Sequence, residues 1–114
     1  MAIERVKSGD VIEVPPLKAA PTEIQLITLV KTPSLEVRRL VLPKGRDIPP
    51  HTAPGEITVH CLEGRVSFSA GCVPRTLEAG QMLFLDAGVP HALVGLEDSS
   101  LLITKLSPDR SNAR

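Results

Sequence analysis

Apolar residues alternate with polar ones, or form short continuous runs, along most of the chain from residue 24 onward. Residues 66–69 alternate cleanly, whereas Gln81–Leu85 and Leu101–Ile103 contain continuous apolar runs. No window has an apolar stripe at helical spacing, and both patterns are typical of strands. They predict nine strands: Ile24–Lys31, Leu35–Leu42, Ile48–Thr52, Glu56–Glu63, Arg65–Ala70, Arg75–Leu77, Gln81–Leu85, His91–Leu96 and Leu101–Leu106.

The spacing of these strands indicates an all-β domain. Turn signals, most of which contain glycine or proline, separate them, and many short, evenly spaced strands are typical of a sandwich or barrel. A length of 114 residues suggests one domain. We interpret residues 1–23, which are polar and proline-rich, as an arm, residues 24–106 as the barrel and residues 107–114 as a disordered tail.

Charge and composition exclude several classes of protein. Lys plus Arg and Asp plus Glu number 13 each, so no basic face is available for nucleic acid. No apolar run reaches bilayer length, and the N-terminus lacks a signal-peptide layout, so we expect a cytoplasmic protein without a membrane partner. Cys61 and Cys72 are expected to be reduced thiols.

Two spaced motifs lie between Gly45 and Gly95. Their characteristic residues are Gly45, His51 and the Leu62-Glu63-Gly64 ending in the first motif, and Gly80, Gly88 and His91 in the second. On these residues the chain resembles the cupin family. The resemblance implies a double-stranded β-helix, the cupin jelly-roll barrel, as the fold.

Asp86 replaces the motif Pro and Gly95 the final Asn, and two further departures from the cupin pattern concern the metal ligands. In metal-binding cupins two His and one Glu of the first motif and one His of the second hold the ion. Here Ala53 replaces the second His and Ile57 the Glu, so the resemblance leaves His51 and His91 as metal residues. Two imidazoles leave too many coordination positions open for tight binding. We therefore expect any divalent metal ion to be weakly or partly bound and completed by water.

Glu56 is an alternative source of the missing carboxylate. It lies one residue before the motif position, and one residue on a strand is the difference between facing inward and facing outward. Only a bulge near Pro54-Gly55 would bring it into the barrel.

The period of two along the fourth strand predicts which residues face the interior. If Ile57 points inward, Val59 and Cys61 do too, and His60 lies on the outer face. Cys61 is then either a soft third ligand or a small apolar filler. The predicted pocket is lined by His51, Ala53, Ile57, Val59, Cys61 and His91.

These features support three hypotheses about function. An apolar pocket with few polar groups is an ordinary small-molecule site, which favours a small cupin-domain protein that binds a ligand without robust catalysis. The alternative is a metal-dependent oxygenase or isomerase that acts on a small molecule through His51 and His91. A third hypothesis is metal-free acid–base catalysis by the same two histidines. The metal content of the purified protein distinguishes the first two.

Apolar positions beyond the pocket predict a homodimer. Leu83–Leu85 and Leu101–Ile103 are apolar on both faces and need cover on both sides. The arm also carries apolar groups at Val11-Ile12 and Val14–Leu17, which docking across a partner would bury. The alternative is an arm that folds back on its own barrel.

Overall fold

The computed structural model describes residues 6–108 and forms nine strands. They are β1 (Gln25–Lys31), β2 (Leu35–Leu42), β3 (Asp47–His51), β4 (Ile57–Glu63), β5 (Arg65–Ala70), β6 (Val73–Glu78), β7 (Met82–Leu85), β8 (His91–Gly95) and β9 (Ser99–Leu106). The all-β prediction is confirmed, and every predicted strand lies within two residues of an observed one at each end. Residues 6–108 include no helix long and apolar enough to cross a membrane.

The strands form two antiparallel sheets. One has five strands in the order β1-β2-β9-β4-β7, and the other has four in the order β3-β8-β5-β6. Apolar side chains from both sheets join in one buried cluster, which includes Leu40 and Leu101 of the first sheet and Phe68 and Leu93 of the second. The core therefore lies between the inner faces of the two sheets, as in a β-sandwich or jelly roll.

The inner face of the five-stranded sheet changes character along its strands. Because side chains alternate between faces, the register fixes which residues meet there. Three successive rows cross β4, β9 and β2 on this face: Cys61–Leu101–Leu40, Val59–Ile103–Arg38 and Ile57–Lys105–Glu36. The first row is apolar and buried, whereas the third carries two charges. The barrel thus has an apolar end and a charged end.

Part of the predicted arm lies against its own barrel. The Leu17 amide donates to both carboxylate oxygens of Glu63, at 3.0 and 3.2 Å, and Arg46 Nη1 donates to the Thr22 carbonyl. Arg39, on the outer face of β2, is buried beneath this segment and donates from Nε to Ser100 Oγ at 2.8 Å. Val11 remains 88% exposed. Residues 16–22 therefore fold back on the chain's own barrel and cover part of the outer face of the five-stranded sheet.

The ends of the predicted arm and tail lie outside the described residues, since these exclude 1–5 and 109–114. Within the tail, the Ser107 amide donates to the Ser34 carbonyl at 2.9 Å.

A one-residue turn at Gly64 joins β4 to β5. Its φ of 84° is a left-handed conformation that glycine adopts without a steric penalty. The backbone of Asp98 and Ser99 lies directly against its Cα. The buried Ser99 hydroxyl accepts from the Arg65 amide and contacts the Glu97 carbonyl at 2.7 Å. This turn is packed too closely for any side chain.

Candidate functional site

A cavity of about 400 Å³ lies between the sheets, on the side of the barrel where the inner faces carry charge. Its walls are mostly apolar, and its volume is in the range of small-molecule sites. The polar side chains in the wall belong to two histidines, one arginine and one lysine. The lining residues are Leu26, Arg38, Leu40, Ile48, Pro49, Pro50, His51, Ile57, Val59, Phe68, His91, Leu93, Ile103 and Lys105.

The four-stranded sheet brings two imidazoles together at this cavity. His51 on β3 is the register partner of His91 on β8, and their ring centroids are 4.2 Å apart at an interplanar angle of 61°. His51 Nδ1 lies 3.0 Å from the Pro49 carbonyl oxygen, and His91 Nδ1 lies 2.9 Å from that of Val89. Because a carbonyl oxygen only accepts, each Nδ1 is placed to donate, which leaves Nε2 as an acceptor when the ring is neutral.

The environment of His91 keeps it neutral. The residue is 5% exposed, and the Phe68 ring stacks on it at a centroid distance of 5.9 Å. Burial lowers the pKa of His91, the neighbouring charges of His51 and Lys105 lower it further, and the hydrogen bond to Val89 opposes them in part. A neutral imidazole at this position can accept a hydrogen bond or a proton from a bound molecule.

The lowered pKa of His91 predicts an acid-dependent loss of stability. Unfolding restores an ordinary histidine pKa of about 6.5, so below that pH the unfolded chain binds more protons than the folded one. The free energy of unfolding is therefore highest above this pH and falls as the pH decreases through it. His91→Asn, which can keep the bond to Val89, is expected to lose less stability between pH 8 and pH 5.5 than wild type. Urea unfolding followed by circular dichroism measures both, and equal losses would contradict the assignment.

The opposite wall carries a cluster of cations around one carboxylate. Glu36 accepts from Arg38 Nε at 2.8 Å and lies 3.7 Å from Lys31 Nζ. Burial acts to raise the pKa of Glu36, but the hydrogen bond and charge of Arg38, with the charges of Lys31 and Lys105, outweigh it and lower the pKa. Arg38 and Lys105 themselves line the cavity.

Four of the six residues predicted for the pocket line the cavity: His51, Ile57, Val59 and His91. Ala53 does not. It follows the end of β3, where the alternation of a strand no longer applies, and it lines a separate cleft beside Pro54 and Gly55.

Cys61 does not line the cavity either. It belongs to the apolar row that fills the barrel below it, and its Sγ lies 3.5 Å from the Glu63 carbonyl oxygen. Burial raises the pKa of this thiol, which disfavours the thiolate that a metal needs. Of the two roles that the sequence left open for Cys61, the apolar filler is the one that this position fits.

Glu56 and His60 are the remaining candidates, and neither lines the cavity, as the alternation of side chains along the strand predicts. Glu56 is exposed and does not line the cavity, so it brings no carboxylate to it. His60 is half-buried on the outer face, opposite Met82 of β7 and Leu102 of β9.

Arg38 and Lys105 are the site residues that the sequence prediction missed. Both are at even intervals from buried leucines, Arg38 two residues before Leu40 and Lys105 four after Leu101. Strict alternation along β2 and β9 therefore places them on the inner face. That signal was available in the sequence, but charged residues are ordinarily expected outside a barrel.

The side chains at the cavity do not fit a tightly held divalent metal. Residues 6–108 contain no group of three or more His, Cys, Asp or Glu that could coordinate one. His51 and His91 supply two nitrogens, and the other charged groups in the wall, Arg38 and Lys105, are cations that repel a metal ion.

Comparison with known proteins identifies related folds. Residues 38–104 match the family model described as the cupin domain. A conserved protein of unknown function from Streptococcus pyogenes is 25% identical, with a TM-score of 0.76, over 94% of this chain and 97% of that one. None of the functionally curated proteins is similar enough to count as a match.

Two further solved structures are similar in fold. A cupin family protein with a double-stranded β-helix fold from Methanocaldococcus jannaschii is 18% identical, with a TM-score of 0.73, over 92% of this chain and 100% of that one. A cupin from Shewanella frigidimarina is 20% identical, with a TM-score of 0.72, over 96% and 95% of the two chains. These neighbours confirm the predicted double-stranded β-helix.

Proposed function

The chain belongs to the cupin family, and from that premise we propose that it binds a small organic molecule between its sheets, without robust catalysis. The observation that carries the proposal is the cavity of about 400 Å³, whose wall is apolar except for four side chains. Such a wall favours an apolar ligand by removing its surface from water, and the few polar groups orient it. The Nε2 atoms of His51 and His91 are acceptors for a ligand hydroxyl or amide.

A metal-dependent oxygenase or isomerase is the second candidate. The close pairing of His51 and His91 favours it, because two imidazoles at one cavity are part of a common ligand set. The absence of a third donor among the described lining residues and the presence of Lys105 argue against it. Acid–base catalysis without metal would use the same two imidazoles, and the neutral state of His91 suits a base.

We also propose a cytoplasmic homodimer. The outer face of β4 and β7 supports the dimer, because Met82 and Phe84 are exposed there beside the half-buried His60. A paired copy would cover this apolar surface.

Titration with uncharged aliphatic amides, from butanamide to octanamide, tests the binding proposal. We expect saturable chemical-shift changes in the methyl groups of Ile103 and Leu93, since both line the cavity. Binding should persist after treatment with a chelator, and elemental analysis should find less than one metal ion per chain. Stoichiometric metal with binding that the chelator abolishes would favour the metal-dependent candidate instead.

A matched pair of variants on β9 locates the site. Ile103→Trp fills the cavity and should abolish binding, whereas Leu102→Trp, one residue away on the opposite face, should leave it unchanged. Equal affinity in the two variants, or no binding of any amide to the wild-type protein, would contradict the proposal.

A further inference from the structure

The cavity wall carries an excess of positive charge. Among the described lining residues there is no Asp or Glu, while Arg38 and Lys105 are both present. The neighbouring carboxylate, Glu36, is already shared by Arg38 and Lys31. Three cations therefore surround one anion at this end of the barrel.

Lys105 is the cation whose charge is least compensated. It is half-buried and forms no ion pair with any residue in the part of the chain that the structure describes. Its register partners across the sheet are Glu36 on one side and the apolar Ile57 on the other. A cation gains free energy when an anion approaches it, and more so beside apolar walls than in water.

The position of this charge specifies the shape of a fitting ligand. Lys105 and Arg38 lie in the two rows nearest the charged end, while Leu40 lines the cavity from the apolar row below them. Leu93 and Phe68 form the facing wall on the other sheet. A molecule that spans the cavity would place one end beside the cations and the rest of its length among aliphatic and aromatic side chains.

We propose that the ligand is a small organic carboxylate, with its carboxylate at Lys105 and Arg38 and its apolar body against Val59, Ile103 and Leu93. This inference rests on the proposed function and adds the chemical class of the ligand. A carboxylate matches a site of two cations in an otherwise apolar wall. A phosphate monoester carries about two charges and three strong acceptor oxygens, which is more negative charge than Lys105 alone compensates, since Arg38 is already paired with Glu36.

Three probes of the same chain length test the proposal: hexanoate, hexanamide and hexylammonium, titrated into the protein and followed by chemical-shift changes. Hexanoate should bind on the order of tenfold more tightly than hexanamide, because its oxygens carry a negative charge that attracts the two cations, whereas the amide oxygen is neutral. Hexylammonium should bind most weakly, and added salt should reduce the advantage of hexanoate. Hexyl phosphate serves as a fourth probe, and tighter binding of it than of hexanoate would overturn the assignment to carboxylates.

Four variants separate the charge from the cavity. Lys105→Met keeps the aliphatic stem, so it should remove most of the preference for hexanoate over hexanamide while hexanamide still binds. Lys105→Arg should retain the preference, and Lys44→Met, at an exposed turn outside the cavity, should behave as wild type. Glu36→Gln removes the competing carboxylate and should strengthen hexanoate binding alone.

The outcomes distinguish this inference from the proposed function. If hexanoate and hexanamide bind equally, or Lys105→Met keeps the preference, the carboxylate assignment is wrong while binding in the cavity stands. If no probe binds, both are wrong. Because hexanamide affinity reports the integrity of the cavity in every variant, loss of hexanoate binding alone cannot arise from misfolding.

Discussion

Replacing Gly64 by alanine is expected to lower the free energy of unfolding by about 3 kcal/mol or more. The left-handed φ of 84° is unfavourable for any residue with a Cβ, and here the Cβ would overlap the carbonyl oxygen of Asp98 and the backbone of Ser99. Neither group is the end of a flexible side chain that could rotate away. The two strands joined by the turn would have to separate from the Asp98–Ser99 segment.

Gly71→Ala is the matched control for this substitution. Gly71 also has a left-handed φ, of 65°, but an added Cβ would meet no atom within 4 Å. Only the conformational penalty remains, and we expect a loss of about 1 kcal/mol. Urea unfolding followed by far-ultraviolet circular dichroism measures both variants. Similar losses in the two would show that close packing at Gly64 contributes nothing.

Phe68→Ala is expected to destabilise the protein by about 3–5 kcal/mol, as large-to-small changes of buried aromatic residues do. Phe68 is 1% exposed, belongs to the core between the sheets and stacks on His91 at the cavity wall. The substitution would remove core contacts and enlarge the cavity together. In the same variant, the chemical shifts of bound hexanamide should change, because one wall of the site is missing.

The chain contains one other phenylalanine, which provides the control. Phe84 on β7 is 56% exposed, so Phe84→Ala should cost less than about 1 kcal/mol in a monomer. If the outer face of β7 is the dimer contact, the same change should shift the mass measured by light scattering toward that of one chain. A loss of stability equal to that of Phe68→Ala, with no change in mass, would contradict both assignments.

The fold was predictable because alternation along the strands is strong. β4 and β5 have buried residues at alternating positions, so the period of two located them to within a residue. The two histidines were identified from motif spacing alone, which places them on β3 and β8 without any information about the other residues that line the cavity. The sequence was therefore sufficient to predict the strands and the two histidines at the cavity.

Three features of the structure were not predicted, each for its own reason. The predicted pocket did not include Lys105 and Arg38, because charged residues are ordinarily exposed, although their parity with buried leucines places them inside. Ala53, predicted for the pocket, follows the end of β3 and is buried without lining the cavity. The course of the arm rests on a contact between Leu17 and Glu63, 46 residues apart, and no local pattern predicts such a pairing.

The position of β9 has a consequence for how the protein is made. This strand is the last of the nine in sequence, yet it lies in the middle of its sheet, between β2 and β4. While it is still inside the ribosomal exit tunnel, the two halves of that sheet have unpaired edges, and neither Ile103 nor Lys105 is in place. Closing such a non-local pairing is intrinsically slow, and open strand edges invite association between nascent chains. The growing polypeptide would therefore expose these unpaired strand edges until β9 emerges, and the cavity between the sheets would be complete only then.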